Sequence, residues 1–246
     1  MSRSITTRSV AMWSILLGLA CAASAQQPAP GGTARQQVTP APRSTPLLFF
    51  REAWRQTGPE RPVTPEVVTN PNLELKLYGA SAREIQIAPN SPNPRNDPPN
   101  LWTGVCTTPV AATLRDKNNY VDLTGRAKIR WATRSAGFHV VRPVLKLADG
   151  TWLVGDRTDG DGSTENFLET EFSIAAVRWL KLDIDKVVTV HAERNQAPET
   201  GRWVAKPDLS KVDEIGFADL MPGSGHGWGG FVNVGRIEVY GTAVKR

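Results

Sequence analysis

The chain of 246 residues carries 29 basic and 24 acidic side chains, a formal charge of +5, and two cysteines. That length supports one large core without disulfide staples. The basic residues are scattered among acids with no run of five or more, which excludes the Lys/Arg stripe of a nucleic-acid binder.

The first segment reads as an export leader. Arg3 and Arg8 form the basic end, Val10 to Cys21 the apolar run, and Ala23-Ser24-Ala25 a small-residue cleavage site, placing a mature start at Gln26. The apolar run is too short for a stable membrane anchor, so no membrane span is expected. Gly18-Leu19-Ala20-Cys21 offers a rival lipoprotein site at Cys21, with Gly18 standing where a large aliphatic residue is usual. Release is therefore preferred, and the expected location is secreted or periplasmic. Loss of Arg3 and Arg8 lowers the charge to +3, and loss of Cys21 leaves Cys106 alone, so no intramolecular disulfide can form. Cys106, beside Trp102 and Val105, reads as a small buried apolar residue rather than a nucleophile.

Residues 26–45, rich in Gln, Pro, Gly, Ala and Thr, lack an apolar period and read as a disordered tether. A single β-domain is expected over 46–246. Leu47 to Trp54 is a first strand, Thr64-Pro65-Glu66-Val67-Val68 one helical turn started by proline, and Leu73 to Tyr78 an alternating strand stopped by Gly79. Ile87 to Asn100 is a long proline-rich loop, expected to line a site.

Strands then come densely: Leu101 to Cys106, Val110 to Arg115, Ala127 to Thr133, Phe138 to Leu147, Thr151 to Val154, Glu169 to Ile174 and Val187 to His191. Ala148-Asp149-Gly150 marks a hairpin. Val177 to Ile184, Val212 to Leu220 and Gly235 to Gly241 alternate at period two, with one face buried and one wet. Turn signals every ten residues or so, without long amphipathic helices, point to an all-β antiparallel sandwich.

Tryptophan outnumbers both Phe and Tyr, and seven of the eight lie beyond the leader. An indole suits stacking on the C–H face of a sugar ring, or core packing. Trp131 and Trp179 sit inside strands and read as core. Trp228, between glycines in the loop Met221 to Gly230, reads as a plug or a ligand platform. With His226, Trp102 and Trp152 it forms the expected ligand-binding set, and the expected partner is a polysaccharide or other glycan. The loop is not a phosphate loop, because no Lys-Ser or Lys-Thr follows.

Asp156, Asp159 and Asp161 alternate with glycines nearby, a pattern that suits Ca²⁺ or an ordinary Asp-Gly turn. A glycan-cleaving enzyme would use His226 with a carboxylate such as Glu214 or Asp219. Asp213 and Glu214 must point to opposite faces of their strand. His139 and His191 read as ordinary strand residues.

Asn119 to Gly125, Lys128 to Trp131, Val212 to Leu220 and Arg236 to Gly241 together resemble a galactose-binding-like jelly roll. The chain is also similar to secreted proteins of soil and aquatic bacteria that accompany carbohydrate processing. The resemblance implies a carbohydrate-binding or carbohydrate-associated role, one structural Ca²⁺, and a final strand returning beside the N-terminus. Three readings follow: a non-catalytic sugar-binding module, which leads; a glycan hydrolase or lyase; and a cell-surface structural or protein-interaction module with a flat apolar patch.

Overall fold

The computed structural model describes residues 45–58, 61–88, 98–137, 139–159, 166–186, 203–220 and 230–246. The leader, the tether, the expected strand Val187 to His191, and the loop carrying His226 and Trp228 lie outside the described residues, as does Asp161. In chain order the strands are β1 (Leu48–Glu52), β2 (Arg61–Pro62), β3 (Leu73–Tyr78), β4 (Gln86–Ile87), β5 (Leu101–Trp102), β6 (Val110–Asp116), β7 (Asn119–Asp122) and β8 (Lys128–Gly137). They continue with β9 (Val141–Leu147), β10 (Trp152–Gly155), β11 (Leu168–Ser173), β12 (Trp179–Lys181), β13 (Trp203–Val204), β14 (Val212–Asp219), β15 (Gly230–Tyr240) and β16 (Thr242–Lys245). Helical segments among the described residues are single 3-10 turns, one of them Pro65–Val67 with Pro65 at its start.

Two antiparallel sheets form a β-sandwich of jelly-roll type. The first has seven strands in the order β11-β8-β15-β5-β4-β2, with β1 also paired to β15. The second has nine, in the order β13-β12-β10-β9-β14-β6-β3, with β7 and β16 at its margin. Successive strands pass between the sheets: β8 lies in the first, β9 and β10 in the second, β11 in the first again. The last long strand does return beside the first, Phe50 facing Val239 and Glu52 facing Ile237.

The period-two pattern explains the core. Ile129 and Trp131 of β8, Leu145 of β9, Phe217 of β14 and Ile237 of β15 all point between the sheets and are fully or almost fully buried. Trp131 and Trp179 belong to this core, as their strand positions imply. The Ala148-Asp149-Gly150 turn closes the β9–β10 hairpin, with the Leu147 amide donating to the Thr151 carbonyl at 2.8 Å and Gly150 at φ 88°. A left-handed φ of this kind favours glycine.

Local differences from expectation have plain causes. β8 runs on to Gly137, so β9 begins at Val141 rather than at residue 138. Only Trp179–Lys181 of the Val177 to Ile184 run is strand, because 3-10 turns at Ile174–Ala176 and Ile184–Lys186 bracket it.

The second sheet carries a further apolar layer on its outer side. Val144, Val154, Leu180 and Ala218 are buried there under Trp152, Trp203 and Leu182, with Tyr78 packed alongside. The two outer faces of the sandwich differ in kind, and the face without this layer carries the candidate site.

Candidate functional site

The outer face of the seven-stranded sheet is built by alternate residues of three neighbouring strands. On β8, Arg130, Ala132 and Arg134 face outward while Ile129, Trp131 and Thr133 face in. On β11, Glu169 stands opposite Ala132 and Glu171 opposite Arg130. On β15 the register shifts between Val234 and Ile237, a bulge at Gly235-Arg236. A bulge re-aims the side chains beside it, and here Arg236 projects outward next to a bare glycine.

An open cleft of about 510 Å³ lies over this bulge. Ala132 and Gly235 form its floor; Phe167, Pro98 and Pro99 line it with apolar surface; Arg51, Arg236 and Glu169 line it with charge. The floor needs small residues. A Cβ built on Gly235 would stand 3.1 Å from Pro98 Cγ and 3.4 Å from Phe167 Cε1. Pro98 and Pro99 are the described end of the proline-rich loop, and they do line a cleft.

Arg51 and Ala53 reach the cleft because Glu52 between them points inward. The buried Glu52 carboxylate accepts the backbone amides of Ala53, Trp54, Thr69 and Asn70 and the Thr69 hydroxyl. That anchor holds Trp54 at φ 51°, where its indole donates to the Val234 carbonyl at 2.8 Å. Positive φ is strained for a bulky residue, and the Glu52 bonds fix it.

Charges on this face are interlocked. Glu169 accepts hydrogen bonds from Arg130 and Arg236. Those bonds, Arg130's above all, outweigh burial and hold its carboxyl below the usual carboxylate range. Glu238 lies 3.3 Å from Arg236 and 3.7 Å from Arg51. The Arg134 guanidinium sits 4.9 Å from the Phe167 ring centre and 6.0 Å from that of Phe231, within range of cation–π attraction. Nothing in the local sequence flags Phe167, Arg134 or Arg236 as partners. The available signal was the outward parity of β8 and β15, which puts arginines on one face.

Of the residues expected to bind ligand, Trp102 lies on this same face. It is half-buried on β5 opposite Asn233, its indole packed over Gly104. Trp152 lies on the other outer face of the sandwich, so the two cannot share one ring-stacking surface. Trp152 is 9% exposed. Tyr78 meets its ring edge-on at 4.8 Å and Lys146 Nζ sits 5.4 Å from its centre. It packs as a core residue of the outer layer, apart from the face that carries Trp102.

The carboxylates considered for catalysis are also separated. Glu214 and Asp219 lie five positions apart on β14 and therefore face opposite sides of the sheet. Glu214 is buried in the outer layer, accepting from Tyr78 Oη at 2.8 Å, Thr113 Oγ1 at 2.6 Å and Lys146 Nζ at 3.0 Å. Burial first, then the Glu214 carboxylate, pushes the Tyr78 phenol well above its ordinary value. Asp219 lies in the interior, accepting from Thr103 Oγ1 at 2.7 Å and meeting His139 Nδ1 at 2.8 Å. His139 is thus a buried partner of Asp219 and not an ordinary strand residue.

Cys106 lies in the core near this group. Burial, and secondarily the Asp219 charge, pushes its thiol up to about 12, which keeps it protonated and unreactive.

The two described aspartates of the expected Ca²⁺ loop are committed to protein donors. Asp156 accepts from the Arg178 amide and from its Nε at 2.7 Å. Asp159 accepts from the Trp131 indole and from Thr170 Oγ1, and pairs with Arg157 at 3.1 Å. Among the described residues no group of three or more His, Cys, Asp or Glu is placed to hold a metal ion. Asp156 and Asp159 thus pin strands and turns, while Asp161, the third residue of the expected set, lies outside the described residues.

No protein-family model and no curated protein sequence matches the chain. Among solved structures it is similar to the family 11 carbohydrate-binding module of the cellulosomal cellulase Lic26A-Cel5E of Clostridium thermocellum, at 16% identity and a TM-score of 0.39, covering 76% of this chain and 97% of that one. A family 11 module from the same organism, in complex with a β-1,3-1,4-mixed-linked tetrasaccharide, matches at 14% identity and a TM-score of 0.38 over 78% of this chain and 100% of the other. An exo-β-agarase matches at 11% identity and a TM-score of 0.37, over 72% of this chain and 24% of its own length. Likeness at this level settles neither ligand nor chemistry.

Proposed function

We propose that the protein is an exported, non-catalytic glycan-binding β-sandwich, with its ligand held on the outer face of the seven-stranded sheet. The observation that carries this reading is the cleft over Ala132 and Gly235. Its small-residue floor lets a ring approach the backbone, Phe167 and the two prolines offer apolar surface for the C–H side of a sugar, and the fixed guanidinium of Arg236 offers donors to hydroxyl groups. The basic-apolar leader and its Ala-Ser-Ala site support export.

Binding without turnover is favoured by the carboxylate geometry. Cleavage of a glycosidic bond needs two carboxyl groups flanking it, and Glu214 and Asp219 lie on opposite sides of one sheet, each already holding protein donors. Arrayed plant, algal and bacterial polysaccharides test the proposal. The intact mature protein should bind at least one, and Phe167→Ala should weaken that binding about tenfold while the fold persists by circular dichroism. No binding to any polysaccharide by folded protein, or unchanged binding by Phe167→Ala, would reject it.

A further inference from the structure

We infer that the sugar this cleft takes is an acidic one, bearing a carboxylate or sulfate group that Arg51 receives. The inference rests on the glycan-binding reading and sharpens it. Around the cleft, the two carboxylates Glu169 and Glu238 are shared among three arginines. Arg130 and Arg236 both donate to Glu169, and Arg236 also pairs with Glu238 at 3.3 Å. Among the described residues that line the cleft, Arg51 and Arg236 face the single carboxylate Glu169, and the charge in excess is that of Arg51. Its Nε stands 3.7 Å from Glu238, beyond hydrogen-bond distance, and its side chain is 53% exposed. Among the described residues the Arg51 guanidinium donates no hydrogen bond, yet it lines the cleft.

The position of Arg51 is fixed from below. Glu52, its neighbour, is locked by five donors in the interior, and Arg51 itself faces Glu238 in the β1–β15 pairing. The backbone under the guanidinium is therefore rigid while its fork of donors is open. A planar guanidinium matches a carboxylate or sulfate with two parallel hydrogen bonds, and each is stronger than a bond to a neutral hydroxyl. Phe167 and Pro98 on the apolar side would hold the ring while the acid group meets Arg51. A neutral sugar in the same pose would leave the Arg51 guanidinium with only its 3.7 Å contact to Glu238.

Affinity gel electrophoresis of the mature protein with two matched pairs of polymers tests this. One pair is polygalacturonate and its methyl ester; the other is dextran sulfate and dextran. Within at least one pair the charged polymer should be bound about tenfold more tightly, and Arg51→Gln should bring it close to its neutral counterpart. The first pair reports a carboxylate and the second a sulfate. Lys206→Gln with Lys211→Gln, at the far cleft beside the β9–β10 turn, controls for loose attraction of a basic chain to any polyanion. That double variant should leave retardation unchanged at 0.15 M salt, where charges beyond about 8 Å are screened.

Equal binding within both pairs, or an equal loss from the lysine variant, overturns the acidic-sugar inference and leaves the glycan reading standing. A neutral glucan panel run alongside separates the two failures. Retention by no polymer at all, neutral or charged, overturns both.

Discussion

The two outer faces of this sandwich use the same ingredients to opposite ends. On the nine-stranded sheet, an aromatic pair, a lysine and a carboxylate close over small apolar residues. Trp152 and Tyr78 meet edge-on, Lys146 lies over the indole and bonds Glu214, and Ala111, Val144 and Ala218 vanish beneath. On the seven-stranded sheet, Phe167, Arg236 and Glu169 stand around Ala132 and Gly235, which lie buried at the bottom of an open cleft of about 510 Å³. The decisive difference is the bulge at Gly235-Arg236, which removes a side chain from the floor and turns an arginine to the side. A tryptophan on an outer face is therefore no guide to binding here; what matters is whether a cleft stands open above the small residues.

The largest effect expected from that contrast is on stability. Trp152→Ala should cost about 3–5 kcal/mol, since it empties the middle of the sealed layer. Chemical denaturation measures it, and the folded fraction should keep its glycan affinity. A loss of affinity with little loss of stability would make Trp152 a ligand residue and erase the distinction between the faces.

Tyr78→Phe tests the same layer more gently. It removes one hydrogen bond to the buried Glu214 carboxylate, leaving Thr113 and Lys146 in place. A bond to a charged group is worth about 2 kcal/mol. Denaturation should show that loss, and a cost near zero would mean the Glu214 cluster is not a structural seal.

Gly235→Ala reverses the balance between stability and binding. The glycine carries no left-handed φ, and a methyl group there would meet Pro98 Cγ at 3.1 Å, which asks that proline to give by a few tenths of an ångström. Stability should change by less than about 1 kcal/mol. Glycan affinity should fall clearly, because the methyl group occupies the floor. Equal affinity in titration calorimetry would show that the ligand does not approach this bulge.

How much of this could be read from residues alone follows from what each feature needs. Leu73 to Tyr78 and Val110 to Arg115 announce themselves because burial on one face writes period two into the chain. β14 does so too, although its outward Gly216 and Ala218 are buried as well, under the outer layer. That layer is the reason Trp152 read as a platform: alternation reports which side a residue faces, and it cannot report what covers that side. The cleft is assembled from Arg51, Pro98, Phe167 and Arg236, four separate segments, so local spacing could not reveal it. The Asp156 and Asp159 spacing looks metal-like in sequence, but their partners Arg178 and Thr170 come from later segments of the chain, which local spacing does not show. The carboxylates Glu214 and Asp219 could have been separated from sequence, since an odd spacing on one strand already puts them on opposite faces.

The smallest effect expected concerns pH, and it touches only the open face. Arg130 chiefly, with Arg236, holds Glu169 ionised below the usual carboxylate range. A carboxyl lowered in the folded state contributes stability that is fully present above its unfolded value, about 4.3 for glutamate, and is lost as pH falls through the folded value. The order of the cleft wall should follow that course, weakening only in acid below about pH 4. Because the Glu169 side chain is 44% exposed, solvent screens most of the interaction. Binding should then fall roughly twofold between pH 6 and pH 3, and Glu169→Gln should flatten that segment of the profile. The sealed face gives the contrast: Glu214 is buried with three donors from neighbouring strands, so Glu214→Gln should act on denaturation rather than on the acid limb of binding. A binding profile that keeps its acid limb in Glu169→Gln would place the titrating group elsewhere and detach the cleft from the arginine–glutamate lattice that shapes it.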